Sequence, residues 1–349
     1  MQINNRKIGA GHPTYIIAEL SANHHQSYEK AVNLVCAAKE SGADAVKIQT
    51  YTPDTMTLNC NNDLFKIKGG TIWDGHNLHS LYKKAFTPWE WQPKLKEKAE
   101  EIGIELFSTA YDITSVDFLE KIGVSAYKVA SFELIDIPLL EKIGSTGKPV
   151  IVSTGMGTLA EIDEAVTTLR YSGCPDIALL KCTSSYPASV QEMNLRTIPH
   201  MAAIFDVISG LSDHTISTIV PVIAVTLGAC IIEKHITISR KDIGPDSKFS
   251  LEIEEFKEMV AAIRDCEKAI GDIFFGCTSN EKNSLTFRRS IFISENVKRG
   301  EMLTEKNIKI IRPGHGLHPK YFNKIIGSTA RVDLDKGTPL TWSCINKNY

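Results

Sequence analysis

The stretch "AELSANHH" (Ala18–His25) closes the first apolar run of the chain and contains no glycine. An open, doubly wound α/β sheet that binds a dinucleotide needs a glycine-rich turn at this place, so that a phosphate can approach the backbone. Its absence turns the reading toward the other alternating architecture, a closed barrel. Outward from this stretch, short apolar runs alternate with amphipathic patterns. Strands are expected at 14–20, 44–50, 104–109, 125–130, 149–154, 176–183, 205–212 and 230–235. Eight strand–helix units in about 270 residues give the count and length of a (β/α)8 TIM barrel. Between them, 28–40 places Ala31, Leu34, Val35 and Ala38 on one helical face. Thr87-Pro88-Trp89-Glu90 and Thr158-Leu-Ala-Glu161 read as capped helix starts.

Residues 53–75 form an unusually long connection, and long loops inside compact domains are commonly functional. At the mouth of a barrel, this one is placed to cover a substrate. Past Gly271 the pattern becomes irregular, then β-rich, with turns at Arg299-Gly300 and Lys336-Gly337 and a short helix near 319–326. The expected organisation is a barrel over 1–275, a linker over 276–288 and a small β-rich domain over 289–349. The formal charge of -2 points to neither nucleic acid nor an anionic membrane. No apolar run is long enough to span a bilayer, and no secretory signal opens the chain. Eight cysteines without CxxC spacing suit a reduced, cytoplasmic protein.

In TIM barrels the chemistry sits at the C-terminal ends of the strands. A dense polar set falls there: Glu19, Lys47 with Gln49, Lys128 before Ser131 and Glu133, Ser153-Thr154-Gly155, Lys181, Ser212 with His214, and Glu233 with His235. Residues two apart share a strand face, so each of these pairs is expected to point into the mouth. One lysine or histidine at a strand end is ordinarily structural. The convergence is the signal, because so many charges at one mouth need a polyanion or a metal. Two histidines from adjacent strands suit a weakly held divalent ion that polarises a carbonyl. Lysines with Ser153, Thr154 and the amides near Gly155 suit a phosphate and a carboxylate. Asn23 and His24 either line the site or cap a loop. Trp89 and Trp91 read as core.

"IIAELSANH", "GADAVKIQTY", "YKVASFE", "IVSTGM", "LKCTSSYP", "GLSDHT", "IEKHIT" and the tail "IRPGHGLHP" together resemble the bacterial sialic acid synthase family. The resemblance runs from about residue 14 to the C-terminus and includes its antifreeze-like domain. "KGGTIWDGHNLHSLYKKAFTPWEWQ" and "DSKFSL" are most similar to its pseudaminic acid branch, with Ser247 where the N-acetylneuraminate branch has histidine. The resemblance implies condensation of phosphoenolpyruvate with an acetamido sugar aldehyde. It implies Mn2+, Mg2+ or Co2+ on His214 and His235, and a phosphoenolpyruvate site at Lys47, Lys128, Ser131, Ser153, Thr154 and Ser212. Gln49, Lys181, Tyr186, Asp246 and Phe249 complete the expected substrate-binding set, with Asn23. Glu19 and Glu133 are the implied acidic catalytic residues. A domain-swapped homodimer is implied, in which Arg312 reaches the partner's barrel to hold the N-acetyl group. Two other readings stand beside it: a Schiff-base aldolase using Lys128 or Lys181, and a non-catalytic carbohydrate-binding protein.

Overall fold

The structure is a computed structural model and describes residues 1–242 and 244–346. The chain divides into two compact units, Met1–Gly271 and Asp272–Tyr349.

The first unit is a closed barrel of eight parallel strands. They are β1 (Tyr15–Glu19), β2 (Ala45–Thr50), β3 (Glu105–Ala110), β4 (Tyr127–Val129), β5 (Val150–Ser153), β6 (Ile177–Cys182), β7 (Ile208–Asp213) and β8 (Ile231–Thr237). Each pairs with the next, and β8 closes the ring on β1, with Ile231 opposite Tyr15 and His235 opposite Glu19. Every barrel strand read from the sequence is present, each beginning one to three residues later than expected and ending within two residues of the expected end. The difference is largest at β7. Phe205 ends the preceding helix and packs in the core, and Asp206 turns the chain with φ 50°, so the strand begins only at Ile208.

Closure demands a small residue where neighbouring strands crowd. A Cβ on Gly210, in β7, would meet the carbonyl oxygen of Ile231 at 2.3 Å. Outside the ring, α1 (Tyr28–Glu40) buries Ala31, Leu34, Val35 and Ala38, the face its spacing predicts. Thr158 starts the helix Leu159–Tyr171 with a complete capping box. Thr87 does not cap a helix: its hydroxyl lies 3.2 Å from Nε2 of His24, and the residues after Pro88 make a single 3-10 turn. Trp89 stacks near Phe118 with ring centroids 4.6 Å apart, and Trp91 packs on Tyr28 and His24. The connection after β2 carries a second helix, α2 (Leu78–Ala85), which the sequence expectation above does not contain.

The second unit pairs Ser290–Ile293 with Ile308–Ile311 and Thr329–Ala330 with Ile345–Asn346. Its own core gathers Ile291, Ile293, Leu303, Ile308, Ile325 and Leu340. The predicted turns fall at Gly300 and Gly337, both with positive φ, and the short helix spans Phe322–Ile325 after a 3-10 turn. No described helix is long and apolar enough to cross a membrane. None of the eight cysteines forms a disulfide.

Candidate active site

One cavity of about 380 Å³ opens at the C-terminal mouth of the barrel, a size that suits a small ligand. The strand register builds its floor. Glu19 is level with Lys47 on one side and His235 on the other. Thr109 is level with Lys128, and Ser212 lies between Cys182 and Glu233. Residues from separate parts of the sequence therefore share one layer.

The ammonium of Lys47 is neutralised within that layer. It is 2.6 Å from Oε2 of Glu19 and 3.6 Å from Oε1 of Glu233, and it donates to Thr109 Oγ1 at 2.8 Å. Burial alone would strip its proton, but the two carboxylates outweigh that and hold its pKa above the ordinary value. Burial raises Glu19, against the pull of Lys47. In Glu233 burial is outweighed by Lys128 and Lys47, so that carboxyl is held below its usual range. Gln49 donates to Glu19 Oε1 at 3.0 Å, and Ser212 donates to Glu233 Oε1 at 3.2 Å.

Lys128 differs. Among the described residues it makes no ion pair within 4.0 Å, and its ammonium donates to Ser153 Oγ at 2.6 Å and the Val129 carbonyl at 2.7 Å. Burial pushes its pKa down. A buried cation held only by neutral oxygens is costly unless an anion arrives. Ser131 stands beside it and accepts from the Gly155 amide at 3.0 Å. A Cβ at Gly155 would meet Ser131 Oγ at 2.8 Å and Ser184 Oγ at 2.2 Å, so a side chain there would displace both hydroxyls.

The two imidazoles face each other across the same cavity, with ring centroids 5.4 Å apart. Nδ1 of His214 lies 3.0 Å from the Thr183 carbonyl, which leaves Nε2 for the cavity. Nδ1 of His235 is buried without a partner, and burial holds this ring well below the usual histidine pKa. An orphaned, neutral ring nitrogen beside a second imidazole fits half the coordination of a divalent ion, the rest being left to water or substrate. No cluster of three or more His, Cys, Asp or Glu that could hold a metal occurs among the described residues. The fit is therefore to an open, exchangeable site. Cys182, level with Ser212, has its thiol 3.8 Å from His214 Nδ1; burial opposes its ionisation, but His214 wins and brings it to about 7.

Glu133 sits at the edge of the floor. Its Oε2 is buried without a partner, and burial drives its pKa up to about 7 against the opposing pull of Lys128. The aromatic wall is Tyr186, 4.4 Å from the His214 ring, with Phe249 4.9 Å from His235. Asp246 accepts from Ser21 Oγ and from the Ala22 amide at 3.2 Å, which anchors the turn after β1.

Three residues expected at the mouth do not line it. Cys182 faces the cavity, so its strand neighbour Lys181 takes the opposite face, donating to the Cys182 carbonyl at 2.8 Å. Thr154 follows the inward Ser153 and donates to the Leu180 carbonyl at 3.1 Å. Asn23 donates to the Ile236 carbonyl at 2.9 Å and Ser250 Oγ at 2.8 Å, a structural tie between loops. Arg312 lies in the second unit, exposed and directly after Ile308–Ile311. Tyr51, Tyr82, Tyr111 and Cys182 are among the lining residues that were not read as site residues. Tyr51 continues the alternation of Lys47 and Gln49, and Tyr111 follows Ala110, which is level with Thr50; nothing local marks Tyr82 or chooses Cys182 over Lys181. Trp73, in the long connection, also lines the cavity and donates to the Pro245 carbonyl at 2.9 Å.

The NeuB family model matches residues 34–274, and the SAF domain model matches 288–346. Pseudaminic acid synthase of Campylobacter jejuni is 43% identical over 340 residues, 97% of this chain and 98% of that protein. N,N'-diacetyllegionaminic acid synthase of Legionella pneumophila is 37% identical over 356 residues, 98% of this chain and 99% of that one. Among solved structures, the spore coat polysaccharide biosynthesis protein SpsE of Bacillus subtilis is 34% identical with a TM-score of 0.67, covering 100% of this chain and 99% of that one.

Proposed function

The chain belongs to the NeuB family, and from that premise we propose that it condenses phosphoenolpyruvate with 2,4-diacetamido-2,4,6-trideoxy-L-altrose and water, giving pseudaminic acid and phosphate. The carrying observation is the meeting of an ion-pair-free lysine, two imidazoles and a proton-poised carboxylate on one cavity floor. The relatives named pseudaminic acid synthase support this sugar over the legionaminate precursor, at 43% against 37% identity.

The chemistry divides among the side chains. Lys128, with Ser153 and Ser131, holds the phosphoenolpyruvate anion by charge-assisted hydrogen bonds. Carbon 3 of that substrate attacks the sugar aldehyde, whose C=O π bond opens to an oxyanion that takes up a proton to become the product hydroxyl, and positive charge develops at carbon 2. Water adds to carbon 2, and phosphate then leaves by C–O cleavage. Glu133, with a pKa of about 7, is poised to take the water's proton on its free Oε2 at neutral pH. Glu19 and Glu233, fixed by Lys47, place negative charge beside the cationic carbon. His214 and His235 would hold a divalent ion, Mn2+, Mg2+ or Co2+, which supplies Lewis-acid polarisation of the aldehyde oxygen. Trp73 and the connection it belongs to shield the reacting atoms from bulk water.

The decisive assay is phosphate release from phosphoenolpyruvate with a panel of three aldehydes: N-acetylmannosamine and the two diacetamido trideoxyhexoses, with product identification. No release with any of them, Mn2+ present, sinks the proposal. The lowered pKa of Lys128 favours one rival, an imine-forming aldolase. Borohydride trapping of substrate on Lys128, with activity surviving EDTA, would replace condensation with that chemistry. We propose further that two copies exchange their second units, so that Arg312 of one meets the sugar in the other's barrel. The free thiols suit a cytoplasmic enzyme.

A further inference from the structure

Helix α2 has its apolar side chains at Leu78, Leu81, Tyr82 and Ala85, spaced i, i+3, i+4, i+7. That spacing makes one continuous stripe, and in a globular protein such a stripe is ordinarily spent on the core. Here it is not. None of the four is fully buried, and none joins a core cluster of the barrel. All four line the cavity, and Met56 and Ile67 from the same connection extend the surface. The cavity thus has two chemistries: a floor of lysines, glutamates and imidazoles from the strands, and a roof of aliphatic groups from the insert. Among these six residues Tyr82 alone carries a hydroxyl, and Trp73 of the same connection spends its indole N–H on the Pro245 carbonyl at 2.9 Å.

An anion and an aldehyde belong on the floor. What lies under the roof is the far end of the aldehyde substrate, and an aliphatic roof discriminates by what that end carries. A methyl group and an acetamido methyl bury favourably against leucine and methionine. A hydroxymethyl or ring hydroxyl at the same place loses water and gains almost no partner. We infer that the α2 stripe is the specificity surface of the site, selecting acetamido aldehydes deoxygenated at the end remote from the reacting carbonyl. The inference rests on the condensation proposed above, which is what puts an acetamido aldehyde in this cavity.

The test compares kcat/KM for phosphate release with a 2,4-diacetamido-2,4,6-trideoxyhexose and with N-acetylmannosamine, in the unaltered enzyme, Leu81→Asn and Leu81→Ala. A hydrophobic surface separates a methyl from a hydroxyl-bearing isostere by on the order of 10²-fold. The unaltered enzyme should show a preference of at least that size for the deoxygenated sugar. Leu81→Asn should shrink it about tenfold, through a higher KM for the deoxygenated sugar, with the KM for phosphoenolpyruvate unchanged. Leu81→Ala should weaken the deoxygenated sugar without improving N-acetylmannosamine, and it decides the matter if the asparagine variant does not fold. An active parent whose preference is the same in both folded variants overturns the inference alone. A parent that releases phosphate with neither sugar overturns the condensation reading, and the inference falls with it.

Discussion

Replacing Glu133 by glutamine should make the protein more stable and less active, and the stability gain should depend on pH. The carboxyl is raised from 4.5 to about 7 because burial penalises its charged form. Below pH 4.5 the folded and unfolded states both carry the proton, and burial costs nothing through this group. Between 4.5 and 7 the unfolded chain ionises while the fold keeps its proton, so stability falls as pH rises. Above 7 both states are ionised and the whole penalty is present. A shift of about 2.5 units corresponds to ~3 kcal/mol at 1.36 kcal/mol per unit. The same linkage gives roughly 1.4 kcal/mol at pH 5.5. Glutamine keeps the shape and cannot ionise, so Glu133→Gln should exceed the parent by those amounts. For the unit Met1–Gly271, with an unfolding entropy of about 2.1 cal/mol/K per residue, ~3 kcal/mol is a Tm increase of about 5 °C. Differential scanning calorimetry at pH 8 and pH 5.5 measures it, and phosphate release at pH 8 should fall by about 10²-fold or more. A Tm difference near zero, or one that does not grow between the two pH values, would show that Glu133 is not a desolvated carboxyl. Its proposed role in proton transfer would go with it.

Removing either imidazole, His214→Ala or His235→Ala, should abolish Mn2+-stimulated phosphate release by more than the roughly 10²-fold typical of an outer-shell change, with unaltered far-UV circular dichroism; a metal-stimulated double variant refutes the assignment. Lys128→Met should raise the KM for phosphoenolpyruvate, costing about 10- to 10²-fold in kcat/KM, the worth of a charge-assisted hydrogen bond; an unchanged KM removes Lys128 from the anion site. Lys234 and Asp213 pair at 2.6 Å, both side chains 0% exposed and outside the cavity. Lys234→Met, which strands that carboxylate, should cost about 3–5 kcal/mol in urea denaturation without changing the KM for phosphoenolpyruvate. Ending the chain near residue 285 should cripple turnover and sugar affinity, and a fully active truncated enzyme would rule out a part for Arg312.

The barrel was legible because each strand is a short apolar run whose polar residue comes at its end, and that pattern needs no tertiary information. Period-two alternation was enough to put Lys47 with Gln49 and Glu233 with His235 on one face. It failed at Lys181 because alternation gives two faces without saying which is inward. Cys182 breaks the tie, and a cysteine in an apolar run looks like core from the sequence. Thr154 failed for a related reason: strand β5 ends at Ser153, so parity fixes Ser153 and leaves its neighbour to the other side. Tyr51 continues the face of Lys47 and Gln49 and meets Tyr111 because Thr50 and Ala110 are level, which takes strand register to see; Tyr82 was invisible, since its place depends on how the insert folds over the mouth. The α2 stripe is readable as a helix at i, i+3, i+4, i+7, but its target, a cavity rather than a core, is a tertiary fact.

The floor of the cavity also shows why it binds rather than merely folds. Lys47 is flanked by the carboxylates of Glu19 and Glu233, which neutralise its charge within the floor. Lys128, two strands along the sheet, donates its hydrogen bonds to neutral oxygens only among the described residues. Glu133 Oε2, Glu233 Oε2 and His235 Nδ1 are all buried at this cavity without a hydrogen-bond partner. Buried polar atoms in native proteins are nearly always satisfied, and each exception asks for a cause. These three atoms and the Lys128 ammonium lie around one cavity, where a single ligand could meet them all. The condensation proposed above accounts for them together, with an anion for the lysine, an electrophile for the ring nitrogen and a proton for the carboxylate. Polar groups gathered at a cavity rather than buried in the core trade some stability for the capacity to bind.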